Sequence, residues 1–416
     1  AMESAHDQVF LARQPIFDRQ RRVFGYELLF RAPHQGLGAH EGVAMTLDEE
    51  GAAVISEAVL AFGLDTLTHG RPAFMKVSRG VLLGGLPSAL PAHQVVIELP
   101  DDIDASAEVR EACADLRRKG YRIALDHFTP REDIAPLVPF ADYLKTDVAG
   151  LVEVAQRPLV ELRSLKPPVM VATRVQTSED FVSATRLGCV SFQGDFIGRP
   201  VMRVTKDIPA NRMHYLRLFR ALQNPDISPK ELEELIKPDA SLVYRVLRAV
   251  NSASFAQHRR VDSIRQALVL LGCGTVRQWS SLWAMSSFSQ GAPDELVAMS
   301  TLRGRTCELV AAADTTGEFG DGFLLGMCSL LDAILEVPMP TVLSHLPLPE
   351  EAEIALRGHD SRSSRLLSAV IAYEHGEWDL CMSIAESAGI DRLAIPNAYG
   401  KAMQWYSKFQ ETNLAA

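Results

Sequence analysis

Short apolar, β-rich runs that finish on an acid or a base constrain this chain more than any other feature. Val95-Val-Ile-Glu98, Ile123-Ala-Leu-Asp126 and Leu144-Lys145-Thr-Asp147 repeat that pattern, with related runs at Ala73 to Val77, Val169 to Ala172 and Val190 to Phe196. Helical spacing fills intervals between them, at Ala105 to Lys119 and Ser178 to Leu187. Strands alternating with helices read as parallel strands with crossover helices, and over about 200 residues a (β/α) barrel fits best. The C-terminal strand ends of such a barrel converge on one rim, where ligands bind. A single carboxylate there is equally well a helix N-cap. Three at successive strand ends point to a site.

Ahead of these runs lies Arg13 to Arg31, read as two extended pieces around a turn at Asp18 to Arg22. Glu27, Leu29 and Arg31 alternate along the second piece and so share one face. A carboxylate can hold a cation, and a guanidinium can grip a phosphate through two parallel hydrogen bonds. The plainer reading of those three residues is a strand with an internal ion pair. Between Ala44 and Phe62, apolar residues at helical spacing follow acidic Asp48 to Glu50 and stop at Gly63, which reads as a helix.

A chain of 416 residues exceeds one core and fits two domains, divided here as 1–203 and 204–416. No run reaches the ~20 apolar residues of a membrane span, and the N-terminus lacks a basic-then-apolar signal pattern. A formal charge of −10 argues against a general nucleic-acid binder. The six cysteines are scattered without paired spacing, which suits a reduced, cytoplasmic protein.

Gln14-Pro15-Ile16 followed by Tyr26-Glu27-x-Leu29-x-Arg31 resembles the opening of EAL domains, the cyclic di-GMP phosphodiesterase fold. The resemblance runs from about Val9 to Pro200. Glu27 matches the motif glutamate, Glu98 the acid after the third strand, and Asp126 the first acid of Asp-Asp-Phe. Lys145 and Asp147 match Lys-x-Asp, and Gln193-Gly194 through Pro200 matches the closing segment. The resemblance implies hydrolysis with magnesium or manganese, which need a dense cage of oxygen ligands. This chain departs from that pattern at the ligand positions. Lys76 replaces an asparagine, His127 replaces the second aspartate, and Thr173-Arg174-Val175-Gln176 replaces Glu-x-Val-Glu. One cation against another at about 4 Å costs several kcal/mol at intermediate dielectric. The expectation is a degenerate, non-catalytic domain without a metal or other cofactor. Two readings of the remaining polar residues stay open. Lys76 and Arg174 either neutralise Glu27, Glu98 and Asp126 structurally, or join Gln14, Glu27, Leu29, Arg31 and Gln193 in holding a nucleotide.

Beyond a connector at Val201 to Arg212 the strand pattern ends. Ser228-Pro229-x-Glu231 reads as an N-cap with proline at the first helical position. Leu242, Val243, Val246, Leu247 and Val250 make one apolar face, and Ser263 or Asp262 caps a helix that stops at Gly272. Trp279 and Trp283 read as core, and His345, His359 and His375 as surface or capping residues. Arg248-x-x-Asn251-Ser-Ala-x-Phe255, Phe323 to Asp332 and Tyr373-Glu-His-Gly-Glu-Trp378 resemble the HDOD domain, an all-α bundle similar to HD hydrolases without their metal ligands. That resemblance covers about Met202 to Asn397. Where the hydrolases carry His-Asp, this chain has Ser329-Leu330. Together the resemblances imply a regulatory protein in cyclic di-GMP signalling, acting on motility, surface attachment or virulence. Its partners would be proteins such as a diguanylate cyclase or a response regulator, and a homodimer is compatible with how EAL barrels pair. The competing readings are a metal-free cyclic di-GMP receptor and a phosphodiesterase with a rearranged metal site.

Overall fold

The computed structural model describes residues 10–31, 59, 63–85, 87, 90–151, 167–198, 210–222, 224, 226–251, 261, 263–288, 293–314, 319, 321–346 and 348–414. The helix expected over Ala44 to Phe62 and the division at 203/204 fall almost wholly outside these residues. Contacts divide the chain into two compact units, Ala1–Arg199 with Ser368–Gly400, and Pro200–Leu367 with Lys401–Ala416.

The first unit is a closed barrel of β1 (Phe10–Asp18), β2 (Val23–Arg31), β3 (Ala73–Lys76), β4 (Val95–Leu99), β5 (Arg122–Leu125), β6 (Tyr143–Asp147), β7 (Val169–Thr173) and β8 (Ser191–Gln193), paired in sequence order. The parallel pairs run from β2 to β8, while β1 is antiparallel to both its neighbours. β1 and β2 are longer than the apolar residues alone suggest. Their nine-residue strands pair across Gln14 and Glu27 because both polar side chains turn inward to partners. Helices α1 (Leu64–Thr68), α2 (Arg79–Leu83), α3 (Ala107–Arg118) and α4 (Ser178–Arg186) follow some of the strands. α3 is capped by Ser106, and α4 by a reciprocal Thr177–Asp180 capping box.

Ile16, Phe74, Val96, Ala124, Tyr143 and Val171 meet as an apolar layer inside the barrel. Side chains alternate across a strand, so the residue two positions nearer the rim faces the same interior. Those residues are Gln14, Lys76, Glu98, Asp126, Lys145 and Thr173. A polar layer therefore lies directly on an apolar one.

The second unit contains α5 (Ala210–Leu222), α6 (Pro229–Ile236), α7 (Ala240–Val250), α8 (Ile264–Leu271), α9 (Cys273–Phe288), α10 (Asp294–Ala313), α11 (Gly322–Cys328), α12 (Leu331–Leu335), α13 (Met339–His345) and α14 (Glu350–Leu356). Ser228 is the expected N-cap of α6, with Pro229 at its start, and Glu231 completes a reciprocal capping box. Ser263 caps α8, which stops at Gly272. Asn251 ties the end of α7 to Val261, accepting from its N–H at 2.8 Å and donating to its carbonyl at 2.7 Å. α10 and α11 cross at Gly304 and Gly326, where an added Cβ would lie 2.6–2.8 Å from backbone of the facing helix.

α15 (Arg362–Glu374), α16 (Trp378–Ser387) and α17 (Ala394–Leu414) complete the chain. From Ser368 to Gly400 these residues pack with the barrel, although the sequence places them with the helical half. The reason is local. Tyr373 accepts from the Leu11 N–H at 3.0 Å through its hydroxyl, and Phe10 rests edge-on against Trp378 at 5.9 Å. Trp279 and Trp283 are buried in the second unit against Phe409. No helix among the described residues is long and apolar enough to cross a membrane.

Candidate functional site

Three carboxylates and two ammonium groups meet in the polar layer. Lys145 Nζ lies 2.7 Å from Glu27 Oε2, 2.8 Å from Glu98 Oε1 and 3.8 Å from Asp126 Oδ1. Lys76 Nζ lies 2.5 Å from the other Asp126 oxygen, and His127 Nε2 lies 3.6 Å from that same atom. Gln193 donates from Nε2 to Glu27 at 2.7 Å and to Gln14 Oε1 at 2.9 Å. Gln14 Nε2 in turn donates to the carbonyl of His375 at 2.9 Å.

Local backbone geometry aims these groups. Asp126 N–H bonds to Leu99 O and Phe128 N–H to Lys145 O, which pins the chain on both sides of His127. His127 itself takes a left-handed conformation at φ 42°. Arg174 does the same after β7 at φ 54°, followed by Val175 N–H on Gln193 O. Non-glycine residues in this region carry strain that the surrounding hydrogen bonds must hold.

Burial would push every carboxylate up, and the lysines decide which ones resist. For Asp126, Lys145, Lys76 and His127 overcome burial and hold the carboxyl well below its usual range. Lys145 and Lys76 also hold Glu27 down against burial. Glu98 goes the other way, up to about 8, because burial and the adjacent Glu27 charge outweigh the pull of Lys145. Both lysines are driven above their ordinary value: burial opposes this, and the surrounding carboxylates exceed it. Glu98 Oε2, Gln193 Oε1 and Thr173 Oγ1 are buried and have no hydrogen-bond partner among the described residues.

Of the residues singled out in the sequence, Gln14, Glu27, Lys76, Glu98, Asp126, His127, Lys145 and Gln193 converge here, with Thr173 in the same layer. Others go elsewhere. Asp147 accepts from the Gly150 N–H at 2.8 Å and shapes a turn. Arg174 is exposed and forms no ion pair among the described residues. Gln176 N–H bonds to Asp180. Arg31 pairs with Asp379 at 2.8 Å, and Leu29 lies against Gly376. Sequence reasoning missed two features. Lys145 was read only as a motif match, although a lysine among three inward acids is itself a signal of neutralisation. Asp379 and His375 carried no signal toward the barrel.

As arranged, these residues do not fit a divalent cation. The inner oxygens of Glu27, Glu98 and Asp126 face ammonium groups. A dication about 4 Å from one ammonium would be repelled by about 8 kcal/mol at an effective dielectric constant near 20. Among the described residues, no group of three or more His, Cys, Asp or Glu side chains is arranged to hold a metal ion.

Comparison with known proteins places an HDOD domain in the helical half, matched over residues 208–362. The chain is 28% identical over 407 residues to the uncharacterized protein YuxH of Bacillus subtilis, covering 96% of this chain and 98% of that one. It is also 28% identical over 399 residues to the cyclic di-GMP phosphodiesterase CdgJ of Vibrio cholerae, covering 95% and 92%. Among solved structures it is similar to Bacillus subtilis YkuI, which has an EAL domain and was solved with cyclic di-GMP and calcium. That likeness has 18% identity and a TM-score of 0.36, covering 64% of this chain and 73% of that one.

Proposed function

We propose that this protein is a non-catalytic signalling protein of the cyclic di-GMP system, in which an EAL-type barrel and an HDOD domain act through protein contacts. One observation carries the reading: Lys76, which stands where the resemblance puts an asparagine, holds its ammonium group 2.5 Å from Asp126. A metal-dependent hydrolase needs such oxygens for the ion that activates its water. The long alignment with a relative named as a cyclic di-GMP phosphodiesterase supports the signalling system. On this reading the partners are proteins of that system, a diguanylate cyclase or a response regulator.

The test is turnover. Purified full-length chain incubated with cyclic di-GMP and manganese or magnesium is expected to release no linear dinucleotide above a protein-free control. Release that disappears in Glu27→Ala would overturn the reading and establish a phosphodiesterase. A second reading, a metal-free cyclic di-GMP receptor, is favoured by the unpartnered Glu98 Oε2, Gln193 Oε1 and Thr173 Oγ1, which keep unmet hydrogen-bonding capacity in the layer. Calorimetric titration with the nucleotide in EDTA distinguishes the two: heat that saturates supports the receptor, and none at high micromolar protein ends it.

A further inference from the structure

We infer that the turn at 375–379 is a built-in plug of the barrel rim, in which Asp379 holds Arg31 as an internal substitute for an anionic ligand. The inference rests on the receptor reading and adds its regulation. β2 runs toward the rim and β1 away from it, so Arg31, Leu29, Phe10 and Leu11 all lie beyond the polar layer on the side where barrels bind ligands. Every one of them meets the same short segment. Arg31 pairs with Asp379 at 2.8 Å, Leu11 N–H bonds to Tyr373 Oη at 3.0 Å, and Phe10 stacks edge-on against Trp378. His375 Nε2 lies 3.3 Å from Asp195, which follows β8.

The segment also reaches the buried charges below. A chain of hydrogen bonds runs from Glu27 through Gln193 and Gln14 to the His375 carbonyl. The turn is preformed: Gly376 N–H bonds to Tyr373 O and Glu377 N–H to Ala372 O, the pair of hydrogen bonds of a Schellman motif closing α15. Gly376 supplies the left-handed residue at φ 74°, and a Cβ there would come within 2.6 Å of Leu29 Cδ1. Asp379 is the weak point. Its side chain is 44% exposed, and an ion pair so open to solvent holds only modestly. A phosphodiester anion can take over the guanidinium with two parallel hydrogen bonds in place of the carboxylate.

The experiment titrates cyclic di-GMP in EDTA into the full-length chain and its Asp379→Lys and Gly376→Ala variants. Asp379→Lys sets like charges on Arg31, and Gly376→Ala lifts the turn from Leu29 by a different route. Both variants are expected to bind about tenfold or more tightly than the unaltered chain. In the unaltered chain, saturating nucleotide is expected to accelerate amide exchange across residues 373–380. Equal affinity in all three chains, or binding by none, overturns the plug. Because EDTA separates binding from turnover, a chain that hydrolyses the nucleotide in manganese would overturn the non-catalytic reading while leaving the plug standing.

Discussion

Lys145 in the barrel and Arg303 in the helical unit are both buried cations, and the acids they act on respond differently. Lys145 touches two carboxylates and lies near a third. Arg303 donates to the neutral hydroxyl of Ser329 at 2.9 Å, and Ser329 donates onward to Gly326 O. The acids respond accordingly. Glu27 and Asp126, close to ammonium groups, stay ionised despite burial. Asp332 is pushed up to about 6 by burial; hydrogen bonds from backbone N–H groups and the Arg303 charge pull it only part of the way back. A buried carboxylate keeps its charge when cations touching it outweigh burial, as at Asp126, and loses much of that preference when burial outweighs the cation's pull, as at Asp332.

Removing each cation in turn would break the comparison most directly. Lys145→Met strands up to three buried carboxylates and is expected to destabilise the barrel by about 3–5 kcal/mol in urea unfolding followed by circular dichroism. Arg303→Met removes the hydrogen bond to Ser329 and the charge that acts on Asp332, and its expected loss is about 1–3 kcal/mol, because burial has already moved Asp332 up to about 6. Equal losses would erase the difference between the two cations.

Titration sharpens the same contrast within the barrel. Glu98 is raised from 4.5 to about 8, so its contribution is complete below the unfolded value and is lost as pH climbs through about 8. Glu27 and Asp126 are lowered, so theirs is complete above the ordinary carboxylate range and is lost only in stronger acid. Between about pH 5 and 8 stability is therefore expected to fall with rising pH in the native chain. Glu98→Gln should flatten that slope relative to the native chain. A variant with the same slope would show that Glu98 is ionised throughout.

The smallest effect belongs to local helix chemistry. Ser228→Ala removes one arm of the capping box before α6 and is expected to cost about 1 kcal/mol of helical-unit stability, measured by the same unfolding curves.

Much of this was legible along the chain. The period-2 alternation of Phe74 and Lys76, Val96 and Glu98, Ala124 and Asp126, and Tyr143 and Lys145 gives both the strands and the inward direction of their polar ends. Ser228, Ser263 and Gly272 mark helix limits through their own hydrogen bonds or backbone freedom. Tyr373 to Trp378 was legible as a motif, yet its place was not, because nothing nearby in sequence distinguishes a helical-bundle turn from one that rests on a barrel.

By itself, then, the sequence determined the alternation of strands and helices and the placing of acids and lysines at the strand ends. These follow from backbone periodicity and side-chain chemistry, which act over a few residues. Tertiary structure alone decided that Lys145 bridges Glu27 and Glu98, that Glu98 rises while Asp126 falls, and that Asp379 meets Arg31 across 348 positions of chain. Those outcomes depend on burial and on distances between charges, and neither exists until the chain has closed on itself.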